Sequence, residues 1–137
     1  MFKLSSRSVS RMDGIHPDLI LIVEESIKIT PIDFGIPRDG GIRTAGRQLE
    51  LHLEGKSKCD GVISKSNHQS GNAVDFYAYI NGKASWEKHH LSMVYAVMHV
   101  VAQRLLEEGA ISKGIRWGGS FGSKNFNGYD MPHIELH

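Results

Sequence analysis

Residues 66–80 read SNHQSGNAVDFYAYI, and this stretch decides both the predicted fold and the predicted chemistry. Its second half, NAVDFYAYI, alternates between two sides: Val74, Phe76, Ala78 and Ile80 on one, Asp75, Tyr77 and Tyr79 on the other. That alternation is the period of a β-strand with one buried face. His68 lies before this strand among small and polar residues that allow the chain to bend back. We therefore expect His68 and Asp75 to approach the same point.

A second motif closes the sequence, where residues 130–137 read DMPHIELH. On a predicted strand over PHIELH, His133 and Glu135 share one face, while their apolar neighbours take the core face. Asp130 precedes His133 by three residues and lies at the mouth of this strand. The pattern predicts that His133 and Asp130 lie side by side at one strand end.

Two histidines and one carboxylate are ligand types that zinc takes from proteins, usually in a tetrahedron. If His68, Asp75 and His133 converge, they supply three ligands, and a catalytic zinc site keeps its fourth position for water. Asp130 is then a nearby carboxylate outside the ligand set, which suits a general base. The sequence therefore predicts one catalytic Zn²⁺ per chain.

A third motif, GGIRT at residues 40–44, places Arg43 after two glycines and before a predicted helix. A guanidinium fixed in that position would hold a substrate carboxylate or stabilise an oxyanion. Arg43 is therefore the cation that we expect at the site.

Each of these residues alone has a simpler interpretation. A lone loop histidine such as His68 is more often a surface residue, Asp75 could pair with a lysine, and His133 could be exposed near the terminus. Arg43 alone would most often form a surface salt bridge. The combination favours a metal site, because both motifs lie at predicted strand ends beside glycine-rich loops. The other histidines are weaker candidates because they lie in or beside predicted helices or at the terminus: His16, His52, His89, His90, His99 and His137.

Helical and strand patterns are intermixed along the chain, without a regular βαβ alternation. Helices are predicted over 16–30, from a Thr44 cap to Gly55, and over 85–109, where the middle is apolar nearly all round. One or two short strands are predicted within 31–44 and another at 115–119, and Asn81–Gly82 is a turn signal. These elements indicate an α+β fold, with helices on one face of a small, mostly antiparallel sheet.

Length and composition bound the class of protein. The 137 residues suit one domain, residues 1–137, and the formal charge of +1 gives no strong field for nucleic acid or membrane. The basic SSRSVSR segment near the start is expected to be a frayed terminus. The most apolar stretch, 91–106, is short for a membrane span and suits a buried helix. One cysteine excludes an intramolecular disulfide, and the first residues lack a secretory signal, so synthesis in a cytosol is expected.

The ordered motifs also carry a family resemblance. S-x-H-x-x-G-x-A-x-D, followed far downstream by D-x-x-H, resembles the zinc peptidases of the D-alanyl-D-alanine carboxypeptidase superfamily, whose fold is shared with the hedgehog signalling domain. Within it, the sequence is most similar to the L-alanyl-D-glutamate peptidase endolysins of tailed bacteriophages. HPDL, TPIDF and G-x-R-T-x-x-x-Q-x-x-L-x-x-x-G match the first half of that family, and RWGG and PHIEL match its end.

The resemblance implies a function and a role for each matching residue. It implies zinc ligands at His68, Asp75 and His133, Asp130 as catalytic acid/base, and Arg43 as the group that polarises the scissile carbonyl or its tetrahedral intermediate. Ser66 and Gln48 match recurrent positions and are expected to support the substrate or Arg43. The implied activity is hydrolysis of the L-Ala–D-Glu bond of the bacterial peptidoglycan stem peptide. A monomer made in the host cytoplasm would reach the wall after release, without inserting into the membrane. No separate cell-wall-binding domain is expected within these 137 residues.

Three alternatives remain at the level of sequence. A D,D- or L,D-carboxypeptidase of the same superfamily would use the same zinc ion on a terminal bond. A non-catalytic zinc-binding module would keep the ligands, but it would not need an unbound carboxylate such as Asp130. A plain α+β domain would bind no metal.

Overall fold

The computed structural model describes residues 1–62, 66–120 and 130–137, and these ranges contain four α-helices and six strands. The helices are α1 (Ser6–Arg11), α2 (Pro17–Ile29), α3 (Ala45–Leu53) and α4 (Lys88–Glu107). The strands are β1 (Asp33–Gly35), β2 (Ala73–Asp75), β3 (Tyr77–Ile80), β4 (Lys83–Ser85), β5 (Ile115–Trp117) and β6 (His133–Leu136). A short 3-10 turn, Gly118–Ser120, follows β5. Residues 63–65 of the predicted polar loop and residues 121–129 of the predicted glycine- and asparagine-rich loop lie outside the described residues.

The α+β class predicted from the sequence is confirmed, and the strands form two antiparallel sheets rather than one. The first sheet has the order β1-β3-β4 and the second has the order β2-β6-β5. The single strand predicted over NAVDFYAYI is therefore wrong, because it is divided at Phe76 between the two sheets. The Phe76 N–H donates to the Pro132 carbonyl at 2.8 Å, just before β6 begins, and the chain then pairs with β1. The predicted alternation of sides continues through both strands, with Val74, Phe76 and Ala78 fully buried.

Two of the predicted helices begin and end close to the predicted residues. The Thr44 hydroxyl accepts the Arg47 N–H at 3.1 Å and caps α3, which ends before Gly55 at a φ of 77°. His16 caps α2 in the same way, since its Nδ1 accepts the Asp18 N–H at 3.0 Å. Local capping signals in the sequence therefore fix the limits of both helices.

The long helix α4 differs from its prediction in its start and in its faces. It begins at Lys88 because Asn81 and Gly82, both with positive φ, turn the chain into β4 first. One face packs into the core through residues at helical spacing, namely Leu91, Val94, Met98, Val101, Ala102 and Leu105. Val100 on another face is 61% exposed, so α4 is amphipathic rather than apolar all round. Among the described residues, no helix combines the length and the apolar character needed to cross a bilayer.

The basic segment near the start is helix α1, so the prediction of a frayed terminus is wrong. Ser5 caps α1 by accepting the Ser8 N–H at 3.0 Å, and the buried Ser8 hydroxyl accepts the Ile36 N–H at 3.0 Å. Arg11 donates to the Ile36 carbonyl at 2.9 Å. Because α1 satisfies both backbone groups of the buried Ile36, it is part of the folded domain.

The segment 40–43, which begins with two glycines, contacts three other parts of the chain. The Gly40 carbonyl accepts the Asp75 N–H at 2.8 Å, and the Arg43 N–H donates to the His68 carbonyl at 3.1 Å. A Cβ at Gly41 would lie 1.9 Å from the backbone oxygen of Arg11, so only glycine allows the end of α1 to pack there. This segment therefore links α1 to the loop and strand that carry His68 and Asp75.

We predict that Gly41→Ala lowers the melting temperature, because the added methyl group forces the Arg11 backbone to move. Gly46→Ala is the matched control, since Gly46 lies in α3 with nothing within 4 Å of an added Cβ. That substitution should stabilise the protein by up to about 1 kcal/mol through helix propensity. Thermal unfolding followed by circular dichroism measures both, and equal melting temperatures for the two variants would contradict the prediction.

Candidate functional site

Three side-chain atoms of the predicted ligands form a nearly equilateral triangle. His68 Nε2 lies 3.2 Å from His133 Nδ1 and 3.2 Å from Asp75 Oδ1, and His133 Nδ1 lies 3.1 Å from Asp75 Oδ1. Ligand distances of 2.0–2.1 Å around a tetrahedral ion separate two ligands by about 3.3 Å. The triangle therefore has the size of one face of a tetrahedral metal site, and these three residues form a group that could hold a metal ion.

Strand pairing brings two of these residues together. β2 and β6 pair antiparallel with Asp75 directly opposite His133, so the two side chains lie on one face of the sheet. His68 approaches from the 66–72 loop, where its N–H donates to the Ser66 hydroxyl at 3.1 Å and the Asn72 N–H closes onto the Asn67 carbonyl at 2.9 Å. The sheet and the loop together bury His68 and His133 to 2% and 6% exposure.

In each imidazole, the ring nitrogen outside the triangle lies beside a hydrogen-bond acceptor. His68 Nδ1 lies 3.0 Å from the Gly41 carbonyl, and His133 Nε2 lies 2.7 Å from Glu135 Oε1. A carbonyl or carboxylate oxygen only accepts, so each of these nitrogens carries hydrogen. The neutral rings then present the Nε2 lone pair of His68 and the Nδ1 lone pair of His133 to the triangle. This is the tautomer pair that metal coordination requires.

Glu135 is a site residue that the sequence analysis did not assign. It is 6% exposed, and its second oxygen accepts hydrogen bonds from Asn67 Nδ2 at 2.9 Å and Arg116 Nη2 at 2.8 Å. A carboxylate behind a metal-binding histidine orients the ring and raises its basicity. The signal was present in the sequence, because Glu135 shares the strand face of His133 at a spacing of two.

Arg43 lies against the ligand group rather than on an open surface. Its Nη2 donates to Asp75 Oδ2 at 3.2 Å, its Nη1 to Gln48 Oε1 at 3.1 Å, and its Nε to the Asp39 carbonyl at 2.9 Å. Its side chain is 12% exposed. The guanidinium is therefore held in one orientation beside the carboxylate of Asp75.

Gln48 and Ser66, the two weaker candidates, support neighbouring groups. Gln48 is fully buried, and besides Arg43 it binds Ser57 Oγ at 2.7 Å and the Cys59 carbonyl at 2.8 Å. It is therefore placed to support Arg43 and not to contact a substrate. Ser66 lines the cavity in front of the triangle and also binds the His68 backbone.

Asp130 stands beside the triangle without joining it. Its Oδ2 lies 3.9 Å from His133 Nδ1, and its side chain is 42% exposed at the edge of a cavity of about 470 Å³. Burial raises the pKa of this carboxyl group, and the nearby charge of His133 only partly offsets that effect. The arrangement brings together a candidate metal group, an unbound carboxylate and a fixed guanidinium around one cavity.

Comparisons with known proteins identify the family of the chain. A family model described as phage L-alanyl-D-glutamate peptidase matches residues 1–137. The chain belongs to this peptidase family. It is 32% identical to the L-alanyl-D-glutamate peptidase of Escherichia phage T5 over 139 residues, covering 98% of each protein. The crystal structure of the Serratia marcescens L-Ala D-Glu endopeptidase ChiX superposes with a TM-score of 0.79 at 25% identity, covering 98% of this chain and 90% of that one. The resemblance noted in the sequence is confirmed.

A second close group of possible ligands in the peptidase lies on the surface, at the start of α4. It consists of Glu87, His89 and His90, and His89 Nδ1 lies 3.4 Å from Glu87 Oε2. His89 and Glu87 are both more than 60% exposed. This group is not among the residues that line the cavity of Asp130.

In the metal-free peptidase, the triangle of His68, Asp75 and His133 holds a proton on His133. Burial opposes a charge on His133, but hydrogen bonds to Asp75 and Glu135 outweigh burial and raise its pKa to about 9. Burial likewise opposes the charge on Glu135, but His133, Arg116 and Asn67 lower its pKa to about 2. The Asp75 pKa also lies below its ordinary value, because the two histidines outweigh its burial. An imidazolium between two carboxylates thus stabilises the metal-free site, and metal binding has to release that proton.

We predict that the metal-free protein loses stability on both sides of a plateau between about pH 4.5 and pH 6.5. The protonated form of His133 contributes fully below its ordinary pKa of 6.5, and this contribution is lost as the pH rises through about 9. The ionised form of Glu135 contributes fully above 4.5, and this contribution is lost as the pH falls towards about 2. Melting temperatures of the chelator-treated protein across this pH range test the prediction. The melting temperature of His133→Gln should not fall as the pH rises through about 9. A wild-type melting temperature that stays level from pH 6 to pH 9.5 would contradict it.

We also predict that Glu135→Gln weakens binding of a divalent metal ion by about 10- to 100-fold, because the neutral amide no longer raises the basicity of His133. Competition with a chromophoric chelator measures this affinity directly. Glu107→Gln on the exposed side of α4 is the matched control and should bind as tightly as the wild type. Equal affinities for both variants would show that Glu135 does not support the ligand.

Proposed function

We propose that residues 1–137 form one catalytic domain that hydrolyses the L-Ala–D-Glu bond of the peptidoglycan stem peptide with one zinc ion per chain. The family match and the two relatives support the enzyme class and the bond, since both relatives are named for this cleavage. The observation that carries the metal assignment is the triangle of His68, Asp75 and His133, with sides of 3.1–3.2 Å.

The donor set suits a catalytic zinc ion. Two imidazole nitrogens and one carboxylate oxygen give three protein ligands, the number found in catalytic sites with an open fourth position. The triangle faces a cavity that Asp130 and Arg43 also line, so the open side adjoins the remaining chemical groups. Zinc bound there supplies Lewis acidity, which acidifies water and polarises a carbonyl group.

Asp130 acts as the proton carrier of the reaction. Its carboxylate lies 3.9 Å from His133 Nδ1 and lines the cavity, where it can reach a water molecule, and it is too far for a direct hydrogen bond to the ring. It takes a proton from the attacking water and later gives it to the leaving amine of D-glutamate. The raised pKa of Asp130 favours the first step, since it makes the carboxylate a stronger base towards water.

Arg43 stabilises the oxyanion that forms when water adds to the scissile carbonyl. Its three described contacts use three of the five N–H groups of a guanidinium, so two N–H groups remain for a substrate oxygen. Because Gln48 and Asp39 hold the planar group before the substrate arrives, little reorganisation is needed during the reaction.

The endopeptidase is favoured over both other zinc proteins considered for this sequence. A D,D- or L,D-carboxypeptidase would share the ligand triangle, but both named relatives are L-Ala–D-Glu enzymes. A non-catalytic zinc module would have no use for Asp130 at the open side of the site. The substrate places the action of the enzyme at the bacterial cell wall, and we propose a monomer that is made in the cytoplasm and released to that wall.

We predict that Asp130→Asn lowers the rate of L-Ala–D-Glu cleavage by about 10²- to 10⁴-fold while zinc remains bound, because only the proton carrier is lost.

His68→Ala should lose both zinc and activity, and a chelator should abolish wild-type activity until zinc is restored. Mass spectrometry of digested peptidoglycan measures cleavage, and elemental analysis measures zinc. Asp13→Asn, an exposed carboxylate outside the cavity, is the control. Full activity of Asp130→Asn would remove Asp130 from the mechanism.

A further inference from the structure

Two lysines line the catalytic cavity. Lys56 and Lys58 line the same cavity as Arg43, Ser66 and Asp130. Both lysines are exposed, and Lys56 Nζ lies 3.2 Å from Glu54 Oε2 in a surface ion pair. Such pairs contribute little and exchange readily for another anion. The proposed mechanism gives neither lysine a role.

Hydrogen bonds to α3 hold the loop that carries these lysines. Lys56 N–H donates to the Leu51 carbonyl at 2.9 Å, which completes the C-terminal cap of α3 around Gly55. Ser57 turns inward, and its hydroxyl and the Cys59 carbonyl both bind the buried amide of Gln48. The loop is thus joined through the Gln48 side chain to Arg43, so the backbone that carries both lysines is held beside the cavity that they line.

The substrate carries a negative charge next to the bond to be cut. In the stem peptide, D-glutamate is linked onward through its γ-carboxyl group, so its α-carboxylate stays free on the carbon that bears the scissile nitrogen. Of the carboxylates in the cavity lining, Asp130 stays outside the proposed metal ligands, and its charge repels that group. Arg43 acts on the scissile carbonyl in the proposed mechanism, so Lys56 and Lys58 are the described lysine and arginine residues of the lining to which that mechanism gives no other role.

We propose that Lys56 and Lys58 form a subsite for the α-carboxylate of the D-glutamate residue and so distinguish it from the α-carboxamide of D-isoglutamine. This inference rests on the proposed function, since it assigns a contact to the substrate of that reaction. The subsite binds the substrate equally in its ground state and its transition state, because the α-carboxylate takes no part in the reaction. Its loss therefore raises KM and leaves kcat unchanged.

The test uses two soluble disaccharide-tetrapeptides that differ only in a D-glutamate α-carboxylate or α-carboxamide, each prepared with L-lysine and with meso-diaminopimelate at the third position. We expect the zinc-loaded wild type to have a lower KM for the carboxylate form. Each exposed lysine–carboxylate contact lowers KM by up to about fivefold, so the double variant Lys56→Gln/Lys58→Gln should raise this KM by up to about 25-fold. The KM for the carboxamide should stay the same.

Two controls separate charge recognition from loop structure. Lys56→Arg/Lys58→Arg keeps both charges and should retain the preference for the carboxylate, while Lys83→Gln in β4, outside the cavity lining, should behave as the wild type. The preference should also weaken as salt is raised, because exposed charges are screened. Melting temperatures of all variants report whether the loop substitutions disturb the fold.

The outcomes distinguish this inference from the proposed function. A wild type that cleaves both forms with the same KM, or a double glutamine variant that keeps the wild-type preference, overturns the carboxylate subsite and leaves the endopeptidase intact. Equal losses on both forms in that variant also overturn it, since they indicate a structural role for the loop. If the zinc-loaded wild type does not cleave the bond between L-alanine and D-glutamate in any of these substrates, the proposed function itself is overturned.

Discussion

The register between β2 and β6 is the constraint on which the site depends. Asp75 lies opposite His133 in this antiparallel pair, and Val74 lies opposite Ile134 on the core side. Since side chains alternate along a strand, a slip of one residue would send His133 into the core and turn Ile134 towards the cavity. Burial of Ile134 and Val74 at 0% exposure opposes such a slip. The hydrophobic core thus fixes the positions of the polar groups that meet on the opposite face.

Charges of opposite sign alternate through the groups behind the triangle. Arg116 and Asn67 bind Glu135, Glu135 binds His133, and Asp75 lies between the histidines and Arg43. Buried polar groups are costly unless each has a partner. Within the described ranges, the one buried side-chain polar atom without a hydrogen-bond partner is Ser26 Oγ in α2, away from this network. The network is therefore complete apart from the shared centre of the triangle, where a proton or a metal ion balances the two flanking carboxylates.

The sequence was sufficient for the parts of the structure that follow from local patterns. Caps at His16 and Thr44, the turn at Asn81–Gly82 and the alternation around Asp75 all follow from neighbouring residues. The convergence of His68 with His133 is a contact across 65 positions, and it was predicted only because both motifs suit metal ligation and match one family. Local patterns could not give the position of such a pair, because strand register is set by contacts between distant segments.

Other features were missed for the same reason. The division of one apparent strand at Phe76 depends on a hydrogen bond to Pro132, and the order of α1 depends on Ile36, which lies 28 positions beyond Ser8. Glu135 shares the strand face of His133 in the sequence, but its burial depends on Arg116 and Asn67, which come from other segments of the chain. Each of these residues has an ordinary local pattern, and its role comes from a partner that is remote in the chain.

The separation of the two sheets has a practical consequence for protein engineering. All three proposed metal ligands belong to the β2-β6-β5 sheet or to the loop before it, whereas the Asn81–Gly82 hairpin tip belongs to the other sheet. An added Cβ at Gly82 meets nothing within 4 Å, so this tip projects into open space. A guest module grafted between Asn81 and Gly82 would lengthen an exposed connection at modest entropic cost and leave the ligand-bearing strands uninterrupted. The tip is therefore an insertion point for giving the enzyme a new wall-targeting specificity.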